Sequence, residues 1–405
     1  MGNQSSRPSP EQDVSKNEPK QPSSTSSVSG SAGAAAAAAS QDKKPSTLSA
    51  DFIVRKVAPF LTADEKLALA STSRDHTSII YADPYDETLR NKKITLKLLH
   101  AVAYGMESRD VNVDPKPSDL FAKDLLKRSP EFLLERAHLT DWAGRTFKGR
   151  LTSEHPEGEG ITAFEYALWA KDFKMLEMML NCIPVGEEGA AIRMELLRQY
   201  EQVTIPRYQG GGLIYTHTYE RPKVDAAGIP IKNASGNWDC ETVTEERDEN
   251  HFDITPLLNA YEDYHAHFDT RTWAQRDAYW IKIIGTQQRL LPIHILQRYC
   301  DPAIPFYPLP TFTGAFKRTT QFLNYLLRPA GLQSLLASSL SADFSLFRGA
   351  EPGRAAGVQR LAARWAPRGD LAAVRQVDEV STNEIEIKIK QLLTGPAQSQ
   401  TQFRP

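Results

Sequence analysis

Apolar residues recur at helical spacing along most of this chain, and one central stretch breaks that rhythm. In residues 51–60, Phe52, Ile53, Val57 and Phe60 fall near one helical face, with Arg55 and Lys56 opposite. Pro59 stands at the end of the run, where a helix loses backbone bonds at little cost. Thr62-Ala63-Asp64-Glu65 has capping-box form and opens a second helix carrying Leu67 and Leu69. Ser71-Thr72-Ser73 then supplies turn and cap chemistry for a third. Three short helices in about thirty-five residues cannot bury a stable core alone, so they are expected to pack on something else.

Helical spacing resumes over 86–105 through Leu89, Ile94, Leu96, Leu98, Leu99 and Val102, until Pro115 and Pro117 break the chain. The amphipathic stretch 118–136 carries Leu120, Phe121, Leu125, Leu126, Phe132, Leu133 and Leu134, and Pro130 after Ser129 predicts a helix pair there. The break comes at 203–253. Gly210-Gly211-Gly212 predicts a tight loop, Leu213–Tyr219 a β-branched and aromatic strand, and Asn233-Ala234-Ser235-Gly236-Asn237 another turn. Helical patterning returns in an aromatic stripe through Trp273, Tyr279, Trp280, Ile283 and Ile284, which ends in Pro302, Pro305, Pro308 and Pro310. In 355–366, Val358, Leu361 and Trp365 share a helical face, and 370–393 predicts a closing amphipathic helix of mixed charge.

Composition narrows the functional classes. Residues 1–46 are rich in Ser, Pro, Gln and Ala, with almost no bulky apolar side chain to offset the entropy of ordering, and are expected to be a disordered tail. Forty-eight basic against 50 acidic residues, a formal net charge of −2, argue against a nucleic-acid binder. Cys182, Cys240 and Cys300 lie far apart and form no CxxC pair, which fits a reducing compartment. No apolar run is long enough to span a bilayer, and the front lacks the layout of a secretory signal. Met1-Gly2 with Ser6 fits the N-myristoylation pattern. A single acyl chain on Gly2 would give only reversible membrane contact.

Candidate chemistry is thin. His265 and His267, with His251 and His294 elsewhere, could offer nitrogens to a metal, but i,i+2 diverges on a helix and the surroundings read helical, so no metal site and no cofactor are expected. Cys182 or Cys300 with His294 would offer a nucleophile and base, but nothing in the sequence orients the base. Walker, HExxH, GxSxG and kinase signatures are absent.

Two segments resemble known families. Leu48-Ser49-Ala50-Asp51, Phe60-Leu61-Thr62-Ala63-Asp64 and Ser73-Arg74 resemble the F-box, the adaptor-docking motif of cullin-type ubiquitin ligases, with Ser49 where the family has proline and no tryptophan after Arg74. The resemblance implies that Leu48, Phe52, Val57, Phe60, Leu61, Leu67 and Leu69 face a Skp-type adaptor. Thr162-Ala163-Phe164-Glu165-Tyr166-Ala167 with 171–180 looks like an ankyrin-type helix pair, with Ala163 and Glu165 where that family prefers proline and histidine. Asp253-Ile254-Thr255-Pro256-Leu257 repeats the opening, but no period near 33 residues follows. The 141–180 block and the 273–294 stretch together resemble an uncharacterised family from bacteria of the Legionella and Coxiella kind, which implies a protein secreted by an intracellular bacterium into host cytoplasm, in membrane contact if Gly2 is acylated.

The expected fold is mainly α. Residues 1–46 form a tail, 47–90 an F-box-like three-helix module, and 91–312 an ankyrin-like helical body with an insertion at about 203–253. A C-terminal helical region, 313–393, and a loose tail, 394–405, complete it. The expected function is a non-enzymatic substrate receptor that joins a Skp-type adaptor to an unknown protein target, held by the body around Trp169, Trp273 and Trp280. The alternatives are a protein-binding scaffold with no ligase link and, third, a hydrolase-type enzyme.

Overall fold

Helix α1 (Glu87–Ala103) opens the described part of the protein in a computed structural model that describes residues 87–108, 120–149, 158–206, 209–300, 321–323, 329–331, 340–341, 344–347, 356–358 and 366–394. Thr95, Leu98, Leu99 and Val102 recur at i, i+3, i+4 and i+7 and are all buried. The helix stops at Gly105, whose φ of +64° is left-handed. There Gly105 N–H donates to Val102 and Met106 N–H to Ala101, the paired bonds of a Schellman motif. Gln297 packs against Gly105 and donates to its carbonyl, so the stop also fixes a distant helix.

The stretch split by Pro130 is a short helix, α2 (Ala122–Leu126), followed by a 3-10 turn (Pro130–Leu133). Strands β1 (Leu139–Thr140) and β2 (Arg145–Phe147) form a small hairpin. Helices α3 (Ala163–Trp169) and α4 (Phe173–Asn181) are the pair expected at 161–180. Thr162 and Glu165 complete a capping box at the head of α3, and Arg136 grips the buried Glu165 carboxylate through both oxygens, at 2.6 and 3.0 Å. Lys171 turns the chain between the helices at φ +57°, a conformation that costs a side-chain-bearing residue energy. Its ammonium reaches Asp378 at 2.7 Å. Helix α5 (Glu187–Thr204) completes this half.

Strands β3 (Leu213–Pro222) and β4 (Cys240–Glu249) form a long hairpin where the helical rhythm breaks. The first sheet is antiparallel in the order β1-β2-β3-β4, with Tyr215 opposite both Phe147 and Arg247. Helices α6 (Thr255–Ala266) and α7 (Trp273–Tyr279) follow, then a π-turn (Trp280–Ile284), α8 (Gly285–Arg289) and α9 (Ile293–Cys300).

The region expected to be helical from 313 departs from that expectation. Its described residues carry four short strands, β5 (Gln321–Leu323), β6 (Pro329–Gly331), β7 (Ser345–Phe347) and β8 (Ala356–Val358), in the order β6-β5-β8-β7. Val358, expected on a helical face, lies in β8 beside Gly357, which is poor helix material, and Leu361 and Trp365 lie outside the described residues. Buried Gln288 helps hold β7, donating to Leu346 C=O and accepting from its N–H, both at 2.8 Å. The closing helix is present as α10 (Ala366–Glu384), a second π-turn (Ile385–Ile389) and α11 (Lys390–Thr394).

Two apolar clusters fill the interior. One gathers α1 to α5 with the small hairpin, and the other gathers α6, α7, the π-turn and α9 with β7. The C-terminal helix serves both: Ala373, Val374 and Val377 enter the second, while Ile385, Ile389 and Leu393 enter the first. The protein is thus mainly helical with antiparallel hairpins. Ile389→Ala should lower the unfolding free energy by about 2–5 kcal/mol, as large-to-small core changes do. Ile387→Ala, two residues earlier and 57% exposed, should stay within about 0.5 kcal/mol in the same urea titration.

Candidate functional site

The candidate site begins in the turn between β1 and β2. Asp141 Oδ1 accepts the N–H groups of Ala143 and Arg145, and Gly144 adopts φ +85° to complete the turn. Asp141 Oδ2 then pairs with Arg145, at 2.8 Å to Nε and 2.7 Å to Nη2, and takes the Tyr166 hydroxyl at 3.3 Å. Both charged side chains are almost completely buried. Burial works against the guanidinium charge, but Asp141 outweighs it and raises the Arg145 pKa. The Arg145 guanidinium lies 4.8 Å from the Trp169 ring centre and 5.2 Å from that of Phe252.

This turn also spans the two clusters. Arg145 Nη1 donates to the Leu290 carbonyl at 2.8 Å, and Trp142 Nε1 to the Leu291 carbonyl at 3.0 Å. The end of α8 is thereby tied to the sheet. Between them runs a groove. One wall is a face of the β3–β4 hairpin, with Tyr215, His217, Tyr219 and Arg221 opposite Arg247, Glu245, Val243 and Glu241. The other is the π-turn and α8, through Lys282, Ile283, Thr286 and Gln287. Its wider part holds about 600 Å3 and its deeper part, next to Arg145, about 170 Å3; Tyr219 and Gln287 line both. A π-turn widens a helix locally, and such turns are frequent at functional sites.

The groove's charges are matched within the chain. Arg247 sits between Glu245 at 2.7 Å and Glu249 at 3.3 Å, Arg221 grips Glu241, and Lys223 meets Asp239 at 3.0 Å. Lys282 Nζ donates to the Ser341 carbonyl at 2.6 Å. The Tyr215 hydroxyl donates to Glu249 at 2.7 Å, and burial with that bond holds its pKa far above the usual phenol range. His217 Nε2 donates to the Ala143 carbonyl at 3.2 Å, and its ring stacks on Tyr219. Burial, then the Arg145 charge, lowers the His217 pKa to about 4, so the ring is neutral near pH 7.

The residues singled out in the sequence fare unequally. Trp169 and Trp280 are fully buried core residues with no surface to offer a partner, whereas Trp273 is half-exposed at the head of α7. Their size explains it: each ring packs on several aromatic neighbours inside its cluster. Gly2, Leu48, Phe52, Val57, Phe60, Leu61, Leu67 and Leu69 lie outside the described residues. His265 lies on α6 and His267 caps it, and no group of three metal-binding side chains occurs among the described residues. Burial pushes the Cys182 thiol up, away from a nucleophilic thiolate. The sequence reading missed Arg145, His217, Glu245 and Arg247. Alternation of Tyr215, His217 and Tyr219 against Thr216 and Thr218 was the available signal for one specialised strand face.

Residues 254–393 match a family described as the CBUA0006 C-terminal domain. An uncharacterised protein, CBUA0006 of Coxiella burnetii (strain RSA 493 / Nine Mile phase I), is 28% identical over 318 residues, covering 76% of this chain and 77% of its own length. No solved structure matches. The similarity supports the expected link to an uncharacterised family from intracellular bacteria, and it carries no F-box or ankyrin description. The matched segment begins at the head of α6, so it takes in the helical wall of the groove but not the hairpin wall.

Neutral His217 gives the site a pH signature. Its pKa is depressed in the folded state, so the unfolded chain takes up the proton first as pH falls. Stability from this group is complete above about pH 6.5 and is lost towards about pH 4. Urea midpoints of the natural protein and His217→Gln should therefore converge across that window. A difference independent of pH would contradict a buried neutral ring.

Proposed function

We propose that this chain is a non-enzymatic recognition protein that holds a partner polypeptide in the groove between the β3–β4 hairpin and α8. The supporting observation is the groove's own pairing. Arg145, Arg221, Lys223 and Arg247 each carry an acidic partner within the chain, and His217 is committed to a backbone carbonyl. Such a surface, mixed in charge and rich in tyrosine, suits a protein partner better than a nucleic acid or a small anion. The target contact moves accordingly, from the buried tryptophans to Tyr219, Arg221 and Gln287.

We further propose that residues 47–90 dock a Skp-type adaptor of a host cullin ligase, in a protein secreted by an intracellular bacterium. Support for the docking step comes from the F-box resemblance at 48–74, and for the source from the similarity to the Coxiella protein. One observation favours the rival scaffold with no ligase link: α1 begins inside the 47–90 segment, and its apolar face is part of the first core cluster. A titration of the full chain with a purified Skp adaptor separates the two. The docking reading expects stoichiometric capture, lost in Leu48→Ala/Phe60→Ala with the melting temperature kept. On the scaffold reading the natural chain shows no capture at micromolar concentration, and the double variant melts several degrees lower, since each core truncation costs about 2–5 kcal/mol.

A further inference from the structure

We propose that Gln287 bonds the main chain of the bound partner, and that the groove takes an extended, uncharged segment with aliphatic side chains. The proposal rests on the reading that this groove holds a polypeptide, and names the chemistry of the segment held. Gln287 lies half-buried on α8 and lines both the wider and the deeper part of the groove. The other polar side chains along the two walls are committed within the chain. Tyr219 bonds Glu245, Thr286 donates to the Lys282 carbonyl at 2.6 Å, and Asp253 accepts the Thr255 N–H at 2.9 Å. Arg145, Arg221, Lys223 and Arg247 have their carboxylates, and Lys282 and His217 their backbone carbonyls. Among the described residues that line the groove, Gln287 alone carries side-chain polar atoms with no partner in the chain.

A carboxamide sets a carbonyl acceptor beside an NH2 donor, the complement of a peptide's own N–H and C=O. A partner that covers Gln287 takes away its water, so an unanswered amide there would cost affinity. An extended strand answers it, because such a strand presents N–H and C=O along its edge and sends alternate side chains to opposite sides. The groove offers those side chains apolar surface in both parts. Pro222, Val224 and Ile283 line the wider one, with Val224 46% exposed, and Phe252, Pro256 and Leu290 line the deeper one. A charged side chain entering either part meets opposite charges that are already paired, so it gives up hydration without gaining a partner. An aliphatic one covers apolar surface and gains by it. Main-chain bonds for affinity and apolar recesses for side chains are a recurring way of holding an extended peptide.

Three labelled peptides of one length, alternating serine with valine, lysine or glutamate, test the proposal by fluorescence anisotropy against the full chain. Amide hydrogen exchange then locates each bound peptide. The valine peptide should bind about tenfold or more tighter than either charged one, and protect amides within 219–224 and 283–290. Gln287→Leu keeps the side chain's bulk and should weaken that peptide about tenfold, the worth of about one net hydrogen bond. Its melting temperature should stay that of the natural chain, because the amide bonds nothing within the fold. Valine-peptide binding in the groove that Gln287→Leu leaves unchanged would overturn the proposal and keep the groove as the partner site. A charged peptide bound more tightly, with the same protection, would do the same. Binding of none of the three would overturn the proposal, and protection elsewhere would overturn the groove reading with it. Adenosine is the fourth probe, since a glutamine amide also pairs with adenine. Saturable adenosine binding, lost in Gln287→Leu, would overturn the proposal in favour of a nucleobase site.

Discussion

An arginine enclosed in a protein interior is costly unless a carboxylate and further acceptors meet it, because both charges give up their hydration. At Arg145 those conditions hold together. Asp141 Oδ2 accepts from Nε and lies 2.7 Å from Nη2 as an ion pair, the Leu290 carbonyl accepts from Nη1, and the rings of Trp169 and Phe252 lie beside the guanidinium. The pair sits where the small hairpin, the aromatic cluster and the end of α8 meet. With Trp142 bonded to Leu291, it sets the distance between the hairpin wall and the helical wall of the groove. The two walls of the groove are therefore tied together through a buried charge pair.

Energetic commitment elsewhere follows the same plan. The C-terminal helix crosses from one apolar cluster to the other, and Lys171 accepts a left-handed backbone while reaching Asp378 on that helix. Gln288, buried beside Tyr261, stitches β7 to α8 through both amide atoms. Each of these contacts joins residues far apart in sequence. A matched segment that starts at 254 thus takes in one wall of the groove, while residues ahead of it supply the hairpin wall.

Local chemistry explains which parts the sequence made legible. A helix with an apolar stripe that stops at a glycine, such as α1 with Gly105, was readable from spacing alone, whereas the pair α3 and α4 was read through the ankyrin resemblance and the capping box of Thr162 and Glu165 went unread. The strand from Leu213 and the turn at Asn233 were readable too, through β-branched residues and Asn/Gly chemistry. The short strands after 320 were not, because three residues carry too little periodicity to separate from helix. The site was hidden for another reason. Asp141 and Arg145 are ordinary turn residues until Leu290, 145 positions on, is brought beside them. Tryptophans drew attention by size, and size is what places Trp169 and Trp280 in the core.

The central claim, that the Asp141–Arg145 pair holds the groove's two walls together, is tested most directly by urea denaturation of Arg145→Met beside Arg145→Met/Asp141→Asn, which keeps the Oδ1 acceptor of the turn. The single change leaves a carboxylate buried without its cation and should cost about 3–5 kcal/mol. The double change removes the stranded charge and should regain at least about 1 kcal/mol of that loss. A single-variant cost below about 1 kcal/mol, or a double variant no more stable than the single, would contradict the claim.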